Sequence, residues 1–436
     1  MSAAVLTRRA VLAKAAPIMA ANIATPIVGL VDVAVIGRTQ DAAALAAVGL
    51  GALVFNALYW SLGFLRMGAT ALTAQADGRD EESEVRAVLV RGAGVGAALG
   101  LVFLLLQWPI REAGFAVFSG TAEVEGLGRA YFDARIWGAP AALAGFAVYG
   151  WLIGLGRTGF ALALQIALNV VNAGLSILFV YGLDMGVSGV AAASASAQWI
   201  HLAAAGLIVA AVFRRRAPAR LRHLLAPEAL KRLFAVNRDI FLRTIALIAG
   251  FYWFNEASLR EGAEVLAGNT ILLQFISVFA FFLDAFAHVT EGAVGRAAGR
   301  KDWPALTRAF RLTSEQALAF GAGLGVVFLV FGETFIGLMT TDPQARAMAT
   351  RFLPFCAAVP LIGMPSWQLD GLMIGTTRGP LMRNAMAASL AIYLALDFAL
   401  RPAFGGEGLW LAFLGYYVAR AGTLAVGWPG LRRDFR

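Results

Sequence analysis

RRRAPARLRHLLAPEALKRL, residues 214 to 233, is the most polar stretch of a strongly apolar chain, and it falls almost at the midpoint of 436 residues. Two prolines, Pro218 and Pro227, and a dense basic population mark it as a linker. Working outward in both directions, the sequence becomes a succession of apolar runs of about 20 residues, the length that spans a bilayer core as helix. Six runs precede the basic stretch and six follow it. The residues are 59% hydrophobic and 14% charged, and the mean hydropathy of +0.72 lies outside the range of ordinary soluble domains. The expected fold is therefore all-α and polytopic, with twelve transmembrane helices. An N-terminal lobe is expected over residues 1–213, a basic cytoplasmic linker over 214–238 and a C-terminal lobe over 239–436.

The net charge of +9 raises nucleic acid as a partner, but the positions of the charges favour the lipid bilayer instead. Most lysines and arginines fall at the N-terminus, in alternate loops and in the C-terminal tail. That asymmetry satisfies the positive-inside rule with both termini cytoplasmic, and it requires an even number of crossings. No nucleic-acid partner is needed. TRRAVLAK at Thr7 to Lys14 has the look of a twin-arginine export signal. The apolar run continues past it, however, and Lys14 and Pro17 interrupt the place of a signal core, so it is read as the basic flank of the first helix. A single cysteine, Cys356, and three scattered histidines offer neither a disulfide framework nor a zinc site. No cofactor and no metal are expected, and no catalytic residues either, since GxSxG in a suitable context, HExxH and a substantial catalytic loop are all missing.

The halves resemble one another. Gly154 to Arg157 falls onto Gly375 to Arg378 at a shift of 221 residues, which also places Gly78 and Arg79 on Gly299 and Arg300. Six helices, duplicated, give two six-helix lobes of the same orientation, related by a pseudo-two-fold axis along the membrane normal. Parallel repeats of this kind occur in transporters.

Charged residues inside spanning helices are costly, about 2.5 to 3.5 kcal/mol each on insertion scales, so each needs a purpose. The candidates are Asp32, Arg66, Asp284, His288, Glu291, Asp370, Asp397 and Arg420. In FLDAFAHVTEGAVG, residues 282 to 295, the spacings of four and three place Asp284, His288 and Glu291 within roughly 60° of one another on a helix. The stripe is expected to face a water-filled cavity or buried partners. Its counterparts in the first half are Gly63, Met67 and Thr70. There the acid is Asp32 instead, on a face shared with Asn22 and Thr25 and on a helix interrupted by Pro17 and Pro26, each of which removes a backbone hydrogen bond. NVVNAGLS adds Asn169, Asn172 and Ser176 at helical spacing. Such groups hydrogen-bond a carboxylate, ligate a desolvated cation, or tie membrane helices together.

LRMGATALTAQADG (Leu65 to Gly78), YFDARIWGAPA (Tyr131 to Ala141), FLDAFAHVTEGAVG and LDGLMIGTTRGPLMRNAM (Leu369 to Met386) resemble the signatures of multidrug and toxic compound extrusion transporters, and most of all their DNA-damage-inducible branch. The resemblance runs over nearly the whole chain. It implies an antiporter of the bacterial inner membrane, not an enzyme, that expels bulky, often cationic organic compounds in exchange for protons or sodium ions, a lipid-linked precursor flippase of the same superfamily being the alternative. It also implies Asp32 as the coupling residue, with Tyr131, Asn172, Ser176 and Ser194 around it. At Ser176 the family often carries aspartate, and losing that carboxylate weakens a sodium site, because hard cations favour several oxygen ligands with negative charge. Proton coupling is therefore expected, sodium being the alternative at the Asp32 site. Asp284, His288, Glu291 and Asp370 are expected to form a substrate-facing or cavity-lining acidic network. Nothing in the pattern demands an oligomer, so a monomer is expected.

Overall fold

The computed structural model describes residues 6–39, 41–116, 121–213, 224 and 226–435. Much of the basic segment that opened the sequence analysis, residues 214–223 and 225, lies outside them. Among the described residues there is no strand.

Contacts divide the chain into two compact units, Ala20–Phe234 and a second that joins the chain up to Met19 with Ala235–Arg436. The first helix, α1 (Arg8–Ala24), thus contributes to both. Its earlier turns bury Val11, Ala15, Ile18 and Met19 in the core of the second unit. There Arg8 also pairs with Glu315 at 2.7 Å, and Gln316 donates to the Arg8 carbonyl at 3.1 Å. From Pro227 onward the chain is one helix as far as Glu261, so the segment assigned by sequence to a linker up to residue 238 is helical over its later part.

In the Ala20–Phe234 unit, α1 is followed by α2 (Ile27–Gly37), α3 (Ala42–Ser61), α4 (Phe64–Gly78), α5 (Glu82–Leu105), the short α6 (Gln107–Phe115), α7 (Ala122–Arg135), α8 (Ala139–Gly154), α9 (Thr158–Ile177) and α10 (Gly186–Phe213). The break between α1 and α2 has a local cause. Pro26 lacks an N–H, so the Asn22 carbonyl loses its helical donor; Thr25 N shares itself between Ala21 O at 3.1 Å and Asn22 O at 3.3 Å. The Ala24 carbonyl receives the Asn169 side-chain amide at 2.7 Å instead of a backbone donor. Asp41 caps α3 by accepting from Ala44 N at 2.9 Å.

The helix α11 (Pro227–Glu261) has its first turns in the Ala20–Phe234 unit, and from Ala235 the second unit continues with the rest of it, α12 (Ala263–Gly299), α13 (Trp303–Met339), α14 (Pro343–Gly375), α15 (Gly379–Ala425) and a short α16 (Trp428–Arg433). Among the described residues, ten stretches are long and apolar enough to cross a membrane. One of these, Gly379–Arg433, holds two crossings, because Gly405 (φ 55, ψ −132) breaks α15. α11 has the length, 35 residues, but more charge. With it the crossings number twelve, as the apolar runs indicate.

The repeat is legible in the backbone. Left-handed residues recur at the shift of 221: Asp80 with Lys301, Gly156 with Thr377, Asp184 with Gly405. The first two pairs close helices in the same way. Arg157 N donates to Leu152 O and Gly156 N to Ile153 O, while Arg378 N donates to Met373 O and Thr377 N to Ile374 O. This is the 6→1 and 5→2 pattern that satisfies the last carbonyls of a helix. Close helix crossings recur as well. A Cβ at Gly150 would stand 2.1 Å from Arg66 O and one at Gly154 2.7 Å from Thr70 O; at Gly371 it would meet Ala287 O at 2.7 Å and at Gly375 Glu291 O at 2.6 Å. In each unit, two glycines one turn apart let backbones approach, as small residues do where apolar burial does not drive helix association.

Candidate functional site

The break at Pro26 sets α2 as a separate helix, and α2 carries Asp32 into the interior, where it is 2% exposed. Two hydroxyls meet its carboxylate. Ser176, in the last turn of α9, donates to Oδ1 at 3.2 Å, and Ser194, on α10, donates to Oδ2 at 3.2 Å. A π-helical turn, Leu178–Gly182, directly follows α9, and its Tyr181 hydroxyl donates to Val35 O at 2.6 Å, holding the end of α2. π-turns of this kind frequently occur at functional sites.

Ser194 is the hub. Its oxygen accepts from Asn172 Nδ2 at 2.9 Å and from Arg135 Nη1 at 3.2 Å. A hydroxyl has one proton and two acceptor positions, so these two donors direct the Ser194 proton onto Asp32. Arg135 Nη1 stands 3.6 Å from Asp32 Oδ2 and also donates to the Tyr131 hydroxyl. Its guanidinium lies 5.2 Å from the Phe55 ring centre and 5.5 Å from that of Tyr131, a placement that attracts a cation electrostatically. The five positions expected around a coupling carboxylate, Asp32, Tyr131, Asn172, Ser176 and Ser194, are thus one connected network. Arg135 is the member that sequence reasoning missed. Asn172 Oδ1 is left without a hydrogen-bond partner.

The expected acidic network of the second unit, Asp284, His288, Glu291 and Asp370, lies on α12 and α14. Asp370, on α14 and 5% exposed, is met at Oδ2 by Arg420 at 2.9 Å and by Arg243, both buried. Both guanidinium groups meet Oδ2, and Asp370 Oδ1 has no hydrogen-bond partner. Arg420 lies between aromatic rings, 5.4 Å from the centre of Tyr417, 5.7 Å from Tyr416 and 6.0 Å from Trp367. On α12, His288 and Glu291 are buried and Asp284 is half-buried. The Glu291 backbone is where Gly375 packs. Phe275 and Phe279 are buried and pack edge-on against Phe328 at 4.8 and 4.7 Å.

Asp397 stands at the repeat position of Ser176, and Trp253 at that of Asp32. Trp253 Nε1 donates to Asp397 Oδ2 at 3.0 Å, so the pairing of these two helix positions is preserved while the acid has changed helix. Arg401 Nε also donates to Asp397, at 3.2 Å, and its Nη1 reaches Glu261 at 3.4 Å. Among the described residues no group of three His, Cys, Asp or Glu is placed to hold a metal ion.

Asp32, Asp370 and Asp397 are thus three buried carboxylates with guanidinium partners on duplicated membrane helices. The family model MatE matches residues 17–178 and 250–398, and the chain belongs to this family of multidrug and toxic compound extrusion transporters. It is 33% identical over 430 residues to DNA damage-inducible protein F of Escherichia coli (strain K12), covering 97% of this chain and 91% of that protein. It is 26% identical to the probable multidrug resistance protein NorM of Chromobacterium violaceum, over 93% and 92% of the two chains. The fold matches an outward-facing multidrug resistance MATE family transporter of the MOP superfamily with a TM-score of 0.86 at 17% identity, covering 98% and 96%. A MATE structure in the bent conformation gives 0.87 at 18% identity, covering 98% and 95%. Members of the family are transporters rather than enzymes.

Proposed function

We propose that this chain is a secondary antiporter that expels bulky, often cationic organic compounds from a bacterial cell in exchange for protons, by alternating access, and that Asp32 carries the coupling proton. The observation behind this reading is a buried Asp32 carboxylate held by two hydroxyls and one guanidinium, with no second carboxylate among its hydrogen-bond partners. A proton needs only that one oxygen pair. A sodium ion would need several oxygen ligands with negative charge, and Ser176 and Arg135 supply a neutral group and a competing cation instead.

In this reading the ionised Asp32 pairs with Arg135 and accepts from Ser176 and Ser194. Protonation removes the charge that Arg135 faces, and the new O–H becomes a donor where the site had offered acceptors. Rearrangement then costs least at α2, which Pro26 has already uncoupled from the hydrogen-bond ladder of α1. The protein would act in the inner membrane as a monomer with both termini cytoplasmic.

The test is a reconstituted, purified protein loaded with a fluorescent lipophilic cation, with proton and sodium gradients imposed separately. The expected result is transport driven by the proton gradient alone and lost in Asp32→Asn. Transport driven by sodium alone, or proton coupling retained in a folded Asp32→Asn protein, overturns the assignment.

A further inference from the structure

A second site lies away from Asp32, within the Ala20–Phe234 unit, where the ends of α4 and α5 meet the first turns of α11. A cavity of about 230 Å³ opens there. Its floor is apolar: Leu72, Val88 and Leu233 are 8%, 3% and 3% exposed and pack together. Its polar lining is three guanidinium groups, Arg79, Arg91 and Arg232, and two carboxylates, Glu84 and Glu228.

The three arginines are not equivalent. Arg91 is 8% exposed. It pairs with Glu84 and donates from Nε to Ala87 O at 3.3 Å, yet its Nη1 has no hydrogen-bond partner. A buried N–H of a charged group left unmet is costly, by about 1 to 3 kcal/mol or more, and calls for an acceptor. Arg232 donates to the side-chain oxygen of Gln75 at 2.6 Å, a neutral amide rather than an acid. Arg79 pairs at 2.9 Å with Glu81, but both side chains are substantially exposed, so that pair does little to occupy either charge. Arg79 and Arg232 are exposed residues, which leaves the cavity open on their side.

With Glu84 on Arg91 and Glu81 on Arg79, what the cavity leaves unmet is Arg232, which bonds only a neutral amide, and Arg91 Nη1, and a single anion meets both. A phosphodiester carries one negative charge, and it offers two unesterified oxygens, enough for Arg91 Nη1 and a second guanidinium. The apolar floor beside the guanidinium wall fits the junction between a headgroup and its acyl chains. Basic pockets between membrane helices on the cytoplasmic side are a recognised setting for anionic lipid. We propose that this cavity seats the phosphodiester headgroup of an anionic phospholipid, with Arg91 at its base and Arg232 at its rim. The inference is independent of the coupling ion and of the transported compound.

The experiment uses the full-length protein, purified in detergent, stripped of lipid and offered equimolar phosphatidylglycerol and phosphatidylcholine, with retained lipid read by native mass spectrometry. Phosphatidylglycerol is expected to be retained in preference. Arg91→Gln and Arg232→Gln should each lower its retention about fivefold, the effect of one cationic side chain at an anionic headgroup. Lys231→Gln, which removes the same charge from an exposed neighbour outside the cavity, should leave it unchanged. A parallel thermal-shift series compares phosphatidylglycerol with glycerophosphoglycerol and inorganic phosphate, and the melting temperature without added ligand verifies that each variant is folded. Equal retention of the two lipids, or phosphatidylglycerol retention unchanged in both arginine variants, overturns the proposal. Full stabilisation by glycerophosphoglycerol or phosphate overturns the lipid as its source.

Discussion

The guanidinium of Arg135 stands 3.6 Å from the carboxylate of Asp32, and the same nitrogen also donates to Ser194, which donates to Asp32 in turn. The pair is therefore bridged by a hydroxyl as well as by charge. Removing one member of a buried ion pair strands the other and costs about 3 to 5 kcal/mol. Removing both costs much less. Arg135→Gln should consequently lower the melting temperature more than the double variant Asp32→Asn/Arg135→Gln, and a double-mutant cycle in detergent gives the coupling directly. Additive effects of the two substitutions would mean that the pair is not formed in the folded protein.

The second unit provides an asymmetric comparison at Asp370, which holds both Arg420 and Arg243. Asp370→Asn leaves two buried guanidinium groups without a counter-charge and is expected to destabilise by about 3 to 5 kcal/mol. Arg243→Gln leaves one complete pair and should cost clearly less. Chemical or thermal denaturation of both variants, followed by tryptophan fluorescence, measures the difference. If Arg243→Gln is the more damaging change, the packing of Arg243 rather than the charge at Asp370 dominates.

Close helix crossings predict sharp intolerance of one methyl group. Gly150→Ala would place a carbon 2.1 Å from the Arg66 carbonyl oxygen, and overpacking of this kind costs about 1 to 3 kcal/mol. Gly371→Ala, at the corresponding crossing of the other unit, should behave alike. Gly126→Ala on α7 meets nothing within 4 Å and is expected to be neutral, or to stabilise by up to about 1 kcal/mol through helix propensity. Melting temperatures of the three variants rank these cases.

The loop-proximal helix α6 offers a pH-dependent term outside the spanning segments. Glu112 accepts from Arg111 at 3.0 Å and from Arg129 at 3.4 Å. The Arg111 hydrogen bond holds its carboxyl below the ordinary range, opposed by burial and aided by the nearby Arg129 charge. A lowered folded-state value means that this group stabilises the fold above the unfolded-state value of about 4.3, and that the contribution fades as pH falls through the folded one. Glu112→Gln is therefore expected to flatten the loss of melting temperature on acidification below about pH 4.3. It should do so less in high salt, because the group is exposed and screened.

Much of the fold is legible in the sequence because its causes are local and one-dimensional. Runs of apolar residues must cross the bilayer, and the turns that end them keep their geometry even where residues change. Gly156 and Thr377 share no chemistry, yet both take the left-handed conformation that closes a helix. The charged site was less accessible. Asp32 and Ser176 stand out in the sequence as polar groups inside apolar runs, whereas Ser194 and the coupling role come only with the family resemblance, and Arg135 goes unmarked although it sits within YFDARIWGAPA. Arg243, near the start of the C-terminal lobe, is likewise absent from the candidates that the apolar runs single out. Both belong to a relationship that spacing cannot express: a carboxylate buried on one helix requires a cation from another, distant in sequence. The candidate charges in the spanning helices were mostly acids, and that imbalance was itself the signal that buried arginines remained to be found.

The dual allegiance of α1 has a consequence for anyone who would cut the protein in two. Val11, Ala15, Ile18 and Met19 fill the core built by Ala235–Arg436, so a gene bisected at the basic segment yields a C-terminal fragment that lacks part of its own interior. Such a fragment expressed alone is deprived of packing rather than of function. Complementation by two half-length polypeptides then depends on the N-terminal fragment lending its first turns to its companion. A circular permutant that appends Arg8–Met19 to the later half would carry the missing piece within one chain.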